Sequence, residues 1–298
     1  MNPEICLLGF PDYATAARNL AEQLQLDYRQ VDIHHFPDGE SKLLLPGTLP
    51  AHLVICQTLD RANEKLVELM LAAAAAREMG AKTITLVAPY LCYMRQDKAF
   101  RPGEVVSQRV IGRFLADHFD ALVTVDAHLH RIQQLSQAVP LQSALNLNAT
   151  TVMGRFLRDN CQQPLLVGPD AESEQWVAAI AREARLDYCI AQKNRRGDKE
   201  VDVRLPEYAF AGRDVVLIDD VASTGHTLEK AATELVRRAV ASVSVLVTHA
   251  LFVDDACSRL AQAGVANIWS CDSIPHPSNR LSLAPVLAAG LRQLLDEH

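Results

Sequence analysis

Residues 214–231 read DVVLIDDVASTGHTLEKA. Val215, Val216, Leu217 and Ile218 lead straight into Asp219 and Asp220. A turn of mostly small residues follows, Ala222-Ser223-Thr224-Gly225-His226-Thr227. Leu228, Ala231, Ala232 and Leu235 then recur at helical spacing. The pattern predicts a buried strand, a tight loop and the start of a helix. The first turn of a helix carries N–H groups without intrahelical partners, and its dipole favours an anion. Ser223, Thr224 and Thr227 add hydroxyl donors, and Gly225 lets the backbone approach a ligand closely. These features make a phosphate cup. Two carboxylates at the strand end can accept hydrogen bonds from sugar hydroxyls, so the stretch points to a sugar phosphate. A plain strand-to-helix connection with two capping acids is the competing reading. It does not call for Asp-Asp, Thr-Gly and a second Thr at these offsets.

Working outward, strands alternate with helices along the whole chain. Strands are expected at Ile5–Phe10, Tyr28–His34, Leu43–Leu45, Leu53–Gln57, Thr83–Val87 and Ala121–Val125. Further strands are expected at Leu165–Val167, Tyr188–Gln192, Val243–Thr248 and Asn267–Cys271. Helices are expected at Ala14–Leu24, Asn63–Glu78, Arg109–His118, Glu174–Ala184, Asp255–Ala263 and Val286–Leu295. Several strands are continuous apolar runs, the mark of parallel sheets covered on both faces. The expected fold is α/β, in two domains (1–146 and 147–298), each a mainly parallel sheet flanked by helices. Ligands bind at the carboxyl ends of strands in such sheets. Pro89, Asp126, Asp170 and Asp219 all stand at such ends.

The totals agree with two covered sheets. The chain has 298 residues, 49% of them hydrophobic, enough for two modest cores. A net charge of −7 argues against a general nucleic-acid or membrane-surface binder. Seven cysteines are scattered singly with no CxxC pair, which predicts reduced core residues of a soluble, cytoplasmic protein. The opening MNPEICLLGF has neither a basic region nor a long apolar run, so no targeting segment is expected.

Four further clusters carry chemistry. After the strand ending at Val87 comes PYLCYMRQDKAFRPG, residues 89–103. Arg95 beside Gln96 and two tyrosines suits a polyphosphate and a base; a solvated loop would read similarly. In FPDGE, residues 36–40, Pro and Gly fix a turn, and Asp38 and Glu40 offer acceptors to an exocyclic amine. A plain turn has the same signature. In Asp126-Ala127-His128-Leu129-His130, an imidazole and a carboxylate at a strand end can hold Mg²⁺, with Asp170 as companion. A capping Asp and a surface His stand as the alternative. Finally, KNRRGDK, residues 193–199, is either a solvated turn or a mobile lid that brings cations to a reacting phosphate.

Residues 214–231 alone resemble the ribose-phosphate loop of the type I phosphoribosyltransferases. With FPDGE, PYLCYMRQDK, DAHLHRIQ, KNRR and VVLIDDVASTGHT in order, the chain resembles the ribose-phosphate pyrophosphokinase family (phosphoribosyl pyrophosphate synthetases). The resemblance implies two phosphoribosyltransferase-like domains. It also implies transfer of the β,γ-diphosphoryl group of ATP to the anomeric hydroxyl of ribose 5-phosphate, with Mg²⁺ as cofactor. Phe36, Asp38, Gly39 and Glu40 match the family's adenine site, supplied by a neighbouring subunit. A homo-oligomer built on dimers follows, a hexamer being one arrangement this allows. Arg95 and Gln96 match its ATP-phosphate segment, and His128 and Asp170 its metal ligands. Lys193 and Arg195 match its catalytic pair. Arg195 counts also with the sugar-phosphate site, together with Asp219, Asp220, Ser223, Thr224, Gly225, His226 and Thr227.

There are departures. Most members carry an acid where Ser223 stands, and two glycines where Glu172 and Ser173 stand. QDKAFRPGE, after Arg95, looks more like the archaeal branch. Two other functions share parts of the pattern. A nucleobase phosphoribosyltransferase shares the Asp219 loop but not the FPDGE turn or the Arg95–Gln96 segment. A non-catalytic homologue that regulates true synthetases tends to lose lid cations or metal ligands, and Lys193, Arg195 and His128 are present here.

Overall fold

The apolar runs do become parallel strands. The computed structural model describes residues 5–129, 131–132, 134–196 and 200–296. His130 and, in the lid, Gly197, Asp198 and Lys199 lie outside the described residues. The described chain divides into two compact units, 1–148 with 283–298, and 149–282.

The first unit holds β1 (Ile5–Gly9), α1 (Ala14–Leu24), β2 (Asp27–Gln30), β3 (Asp32–His35), β4 (Ser41–Leu44) and β5 (His52–Cys56). It continues with α2 (Ala62–Glu78), β6 (Thr83–Val87), α3 (Ser107–His118), β7 (Ala121–Val125), α4 (Leu135–Ala138) and β8 (Ser143–Leu147). Six strands form one sheet in the order β2-β1-β5-β6-β7-β8, every pairing parallel. The strands β3 and β4 stand apart as an antiparallel hairpin. Leu8, Leu53, Ile55, Ile84, Leu86 and Leu122 meet Leu66, Leu69, Ala72 and Ala76 of α2 in a core wholly closed to water.

The second unit holds α5 (Thr150–Asn160), β9 (Leu165–Gly168), α6 (Glu174–Ala184), β10 (Tyr188–Ile190), β11 (Gln192–Arg196), β12 (Glu200–Arg204) and β13 (Asp214–Ala222). Then come α7 (His226–Arg237), β14 (Ser242–Ala250), α8 (Ala256–Gln262), β15 (Val265–Cys271) and β16 (Asn279–Leu281). Its sheet runs β10-β9-β13-β14-β15-β16, again parallel throughout. The strands β11 and β12 form a hairpin outside it.

The two units repeat one plan. Each sheet reverses direction of growth after its first strand, and each inserts a hairpin at the same step. Even the hinge is repeated: Val31 N–H donates to Gly9 O at 3.0 Å, and Ala191 N–H to Gly168 O at 2.8 Å. These residues explain where the expected strands differ. Tyr28–His34 was expected as one strand, and Tyr188–Gln192 as another. Each is cut at its hinge, where the chain leaves the parallel sheet for the hairpin. Short polar or partly apolar segments also form α4, β8 and α5, which periodicity did not reveal.

The expected division 147–298 put the last helix with the second half. Instead α9 (Ala284–Asp296) belongs to the first unit. Its Leu287, Ala288, Leu291 and Leu294 are buried, and it packs on α1, β7 and β8. Gly290 makes this close: a Cβ there would meet Leu147 at 2.7 Å.

The first sheet's reversal, between β1 and β5, is filled by charge. Lys65, only 2% exposed, places its ammonium 2.6 Å from Asp12 and against Asp60. Gln57 also donates to Asp12 at 2.9 Å. Burial acts to raise the Asp12 carboxyl, but the hydrogen bonds from Lys65 and Gln57 outweigh it and hold Asp12 below its ordinary value. Stability from this group is therefore present above the usual carboxylate range and lost as pH falls through the depressed value. Lys65→Met is expected to cost about 3 kcal/mol in urea unfolding, because it leaves Asp12 and Asp60 without their buried cation and only the exposed Arg61, 3.6 Å from Asp12, beside them.

Candidate active site

The strand β13 runs on to Ala222, so Asp219 and Asp220 lie inside it rather than beyond its end. Asp219 is half-buried and Asp220 buried, and their carboxyl groups lie close enough to interact. Asp220 N–H donates to the Asp219 carboxylate at 3.0 Å, and Val221 N–H to Asp220 at 2.8 Å. Gly225 then turns the chain at φ 72°, a left-handed conformation that a side chain would strain. It is the N-cap of α7, and no side chain caps that end. The amides that open α7 are thus left without a side-chain acceptor from the cap. Thr224 and His226 are exposed, Ser223 and Thr227 half-buried.

The loop is held from behind. Phe252 N–H donates to Ala222 O at 2.9 Å and Val253 N–H to Ser223 O at 3.0 Å. Arg259 of α8 donates to Thr224 O at 2.5 Å and to Glu229 at 3.1 Å.

Asp170 follows β9, the strand next to β13. Its carboxylate accepts from Glu172 N–H at 3.1 Å and Ser173 N–H at 3.3 Å, and Ser173 Oγ donates to Asp170 O at 2.6 Å. Glu172 and Ser173 thus complete a turn that holds Asp170 in place. The structure brings Asp170, Asp219 and Asp220 together. Burial, then the Asp220 and Asp170 charges, push the Asp219 carboxyl well above its ordinary range.

The β11–β12 hairpin is rooted at the same place. Ala191, hydrogen-bonded to Gly168, stands two residues before Lys193, and Gly168 stands two before Asp170. The strand β12 packs against α7, and Val203 and Leu205 share a core with Leu228, Ala231 and Leu235. Lys193 and Arg195 lie on β11; only their backbone is described.

In the first unit, FPDGE caps the β3–β4 hairpin. Phe36 N–H donates to Glu40 O at 2.8 Å, Gly39 N–H to Phe36 O at 2.9 Å, and Glu40 N–H to Asp38 at 3.2 Å. Gly39 has φ 93°. Phe36 is 41% exposed and packs edge to face with His34, at 4.8 Å between ring centroids. The hairpin is tied to α2 through Glu68, which accepts from Ser41 at 3.0 Å and pairs with His35 at 2.8 Å. Arg95 is exposed. Gln96 donates to Glu104 at 2.8 Å, and the other Glu104 oxygen accepts from Phe100 and Arg101 N–H. Asp97 turns inward to Arg131; its side chain is 3% exposed. His128 is half-buried, just past β7. Its neighbour Ala127 is fixed by a bond from its N–H to Asn146 Oδ1 at 2.9 Å.

Reading the sequence missed Glu104 and Arg259. Glu104 directly follows the stretch it braces, whereas Arg259 lies 35 positions from Thr224, and a lone acid or base carries no pattern. A short Arg-x-Gly-Glu turn was the available sign for Glu104; Arg259 had none.

The comparisons with known proteins now have a geometry to attach to. Residues 5–118 match the model of the N-terminal domain of ribose phosphate pyrophosphokinase, and residues 142–281 that of the phosphoribosyl transferase domain. The ribose-phosphate pyrophosphokinase of Methanopyrus kandleri is 32% identical over 93% of this chain and 95% of its own. That of Thermococcus kodakarensis is 31% identical over 87% and 90%, and that of Methanosarcina acetivorans 29% over 97% and 99%. The fold matches a crystal structure of phosphoribosylpyrophosphate synthetase from Mycobacterium smegmatis with a TM-score of 0.82 and 22% identity, covering 99% of this chain and 100% of that one. Both halves are matched, each by the domain expected of it, and near-full-length relatives carry one name: this chain belongs to the ribose-phosphate pyrophosphokinase family.

Proposed function

We propose that the chain transfers the diphosphoryl group of ATP to the 1-hydroxyl of ribose 5-phosphate, giving 5-phosphoribosyl 1-diphosphate and AMP. One observation carries the reading: identity to a ribose-phosphate pyrophosphokinase extends over 93% of the chain, beyond the reach of a shared sugar-phosphate loop.

The sugar's phosphate rests on the amides from Gly225 to Thr227, with Ser223 and Thr224 beside it. Asp219 and Asp220 accept hydrogen bonds from the 2- and 3-hydroxyls and so aim the 1-hydroxyl at the β-phosphorus. Arg95 and Gln96 hold the triphosphate. Attack at the β-phosphorus builds charge on the non-bridging oxygens and on the departing AMP oxygen. Lys193 and Arg195, carried on a hairpin rooted beside Asp170, close on that charge and exclude water.

Asp170 offers a hard oxygen donor beside Asp219 and Asp220, chemistry that suits Mg²⁺, although no three His, Cys, Asp or Glu among the described residues are arranged to hold an ion by themselves. Asp170 in the second unit and His128 in the first are each proposed as Mg²⁺ ligands, and the metal would screen phosphate charge. The FPDGE turn, with Phe36 largely exposed at a hairpin tip, suits an adenine bound by a second copy of the chain. The protein is then at least a dimer. We place it in the cytoplasm, where ATP and ribose 5-phosphate are found together. No helix among the described residues is long and apolar enough to cross a membrane.

Purified protein given ATP, Mg²⁺ and ribose 5-phosphate should form AMP and the pyrophosphorylated sugar in equal amounts. Pyrophosphate released from 5-phosphoribosyl 1-diphosphate on adding a nucleobase, without ATP, would show a phosphoribosyltransferase instead. Silence in both assays would show a non-catalytic homologue.

A further inference from the structure

We infer that Arg259 is a positioning residue that sets the Thr224–Gly225 peptide in its anion-binding orientation. This rests on the reading of residues 219–227 as the sugar-phosphate site.

The inference comes from three contacts and one rule of peptide geometry. Arg259, 22% exposed, reaches back from α8 beneath the loop. Its guanidinium donates to Thr224 O at 2.5 Å and to Glu229 Oε2 at 3.1 Å, and pairs with Asp255. A trans peptide is planar, so its C=O and N–H point in opposite directions. Fixing the Thr224 oxygen against Arg259 therefore sends the Gly225 N–H the other way, to the side facing away from α8.

Among the described residues no other hydrogen bond fixes that peptide. Gly225 has φ 72°, where a glycine peptide rotates with little steric resistance. Thr224 is exposed and its residue makes no other described backbone bond. A rotated peptide would turn the Thr224 carbonyl toward the bound phosphate, replacing a donor with an acceptor. That exchange removes one charge-assisted hydrogen bond and adds a repulsion. Ala256 and Leu260 of α8 lie 3.5 and 3.8 Å from where a Gly225 Cβ would stand, so the loop has a wall behind it as well as a clamp.

Glu229 extends the device into the helix. The Arg259 guanidinium and the His226 ring, 3.4 Å away, share its carboxylate. One arginine thereby ties the turn, the first turn of α7 and α8 into a single frame. Its fork meets the three partners from three separate nitrogens, a spread that the single nitrogen of an ammonium does not have. Arg259 touches no substrate in this account; it acts through the loop.

The test is binding of ribose 5-phosphate to the full-length protein by calorimetry, with steady-state kinetics beside it. Arg259→Ala is expected to weaken ribose 5-phosphate binding about ten- to a hundredfold, the loss of one hydrogen bond to a charged group. The KM for ATP should stay within about twofold, a split that a general loss of structure would not produce. Arg259→Lys keeps a donor long enough for Thr224 O and should fall between wild type and Ala. If Arg259→Ala fails to fold, the lysine variant decides by the same split. Equal binding by wild type and both variants overturns the inference, as does a parallel rise in the ATP and sugar constants. Wild type that binds no ribose 5-phosphate overturns the site reading itself, and the clamp with it.

Discussion

Lys193→Ala lowers turnover about a thousandfold and leaves ATP affinity near that of the wild type. The expectation follows from where β11 begins. Ala191 is bonded to Gly168, so the hairpin springs from the strand end that also carries Asp170. Its second strand packs on α7, the helix that opens with the phosphate cup. A cation borne on such an arm meets the transferring group only as charge develops. Its removal therefore acts on the transition state more than on bound nucleotide. Steady-state kinetics with nucleotide binding measured separately would check it. A large loss of affinity at normal turnover would show that Lys193 holds the ground-state nucleotide and is no lid residue.

Asp219→Asn should do two opposite things. The KM for ribose 5-phosphate rises about a hundredfold, since a charged acceptor for a sugar hydroxyl becomes a neutral one. The ligand-free protein becomes more stable at neutral pH, melting a few degrees higher, because a charge crowded by Asp220 and Asp170 is gone. Burial and the neighbouring Asp220 and Asp170 hold the Asp219 pKa well above its ordinary 3.8. The folded chain thus binds this proton more tightly than the unfolded chain does. The favourable contribution is full below about 3.8 and is lost as pH rises through the raised value. The stability difference between variant and wild type should accordingly widen with pH across that interval and shrink at acid pH. Differential scanning calorimetry of both proteins over a pH series would follow it. A variant changed only in its ATP dependence would remove Asp219 from the sugar site.

Much of this arrangement could be read in the chain before it was folded. Runs such as Val215–Ile218 and Ala121–Val125 are apolar without alternation, and only a strand covered on both faces rewards that. The 214–231 stretch carried its own chemistry because strand, turn and helix start lie within one short span. What could not be read depends on distance along the chain. Arg259 reaches Thr224 across 35 positions, and Glu68 reaches Ser41 across 27. No local pattern announces either. The Tyr28–His34 segment misled for another reason: its β propensity is continuous, and only the bond from Val31 to Gly9 cuts it in two. The last helix misled because amphipathic periodicity says that a face is buried, and not beneath which sheet.

That helix has a consequence for how the protein is made. The first unit's sheet is laid down early, but the cover for β7 and β8 is made only after the whole of residues 149–282. The later half, residues 149–282, is contiguous and can finish folding while the earlier half still waits with bare apolar strands. Synthesis that stops short of Leu283 would leave a sound C-terminal body attached to an unfinished N-terminal one. Quality control in the cell would then act on the end of the chain that was made first.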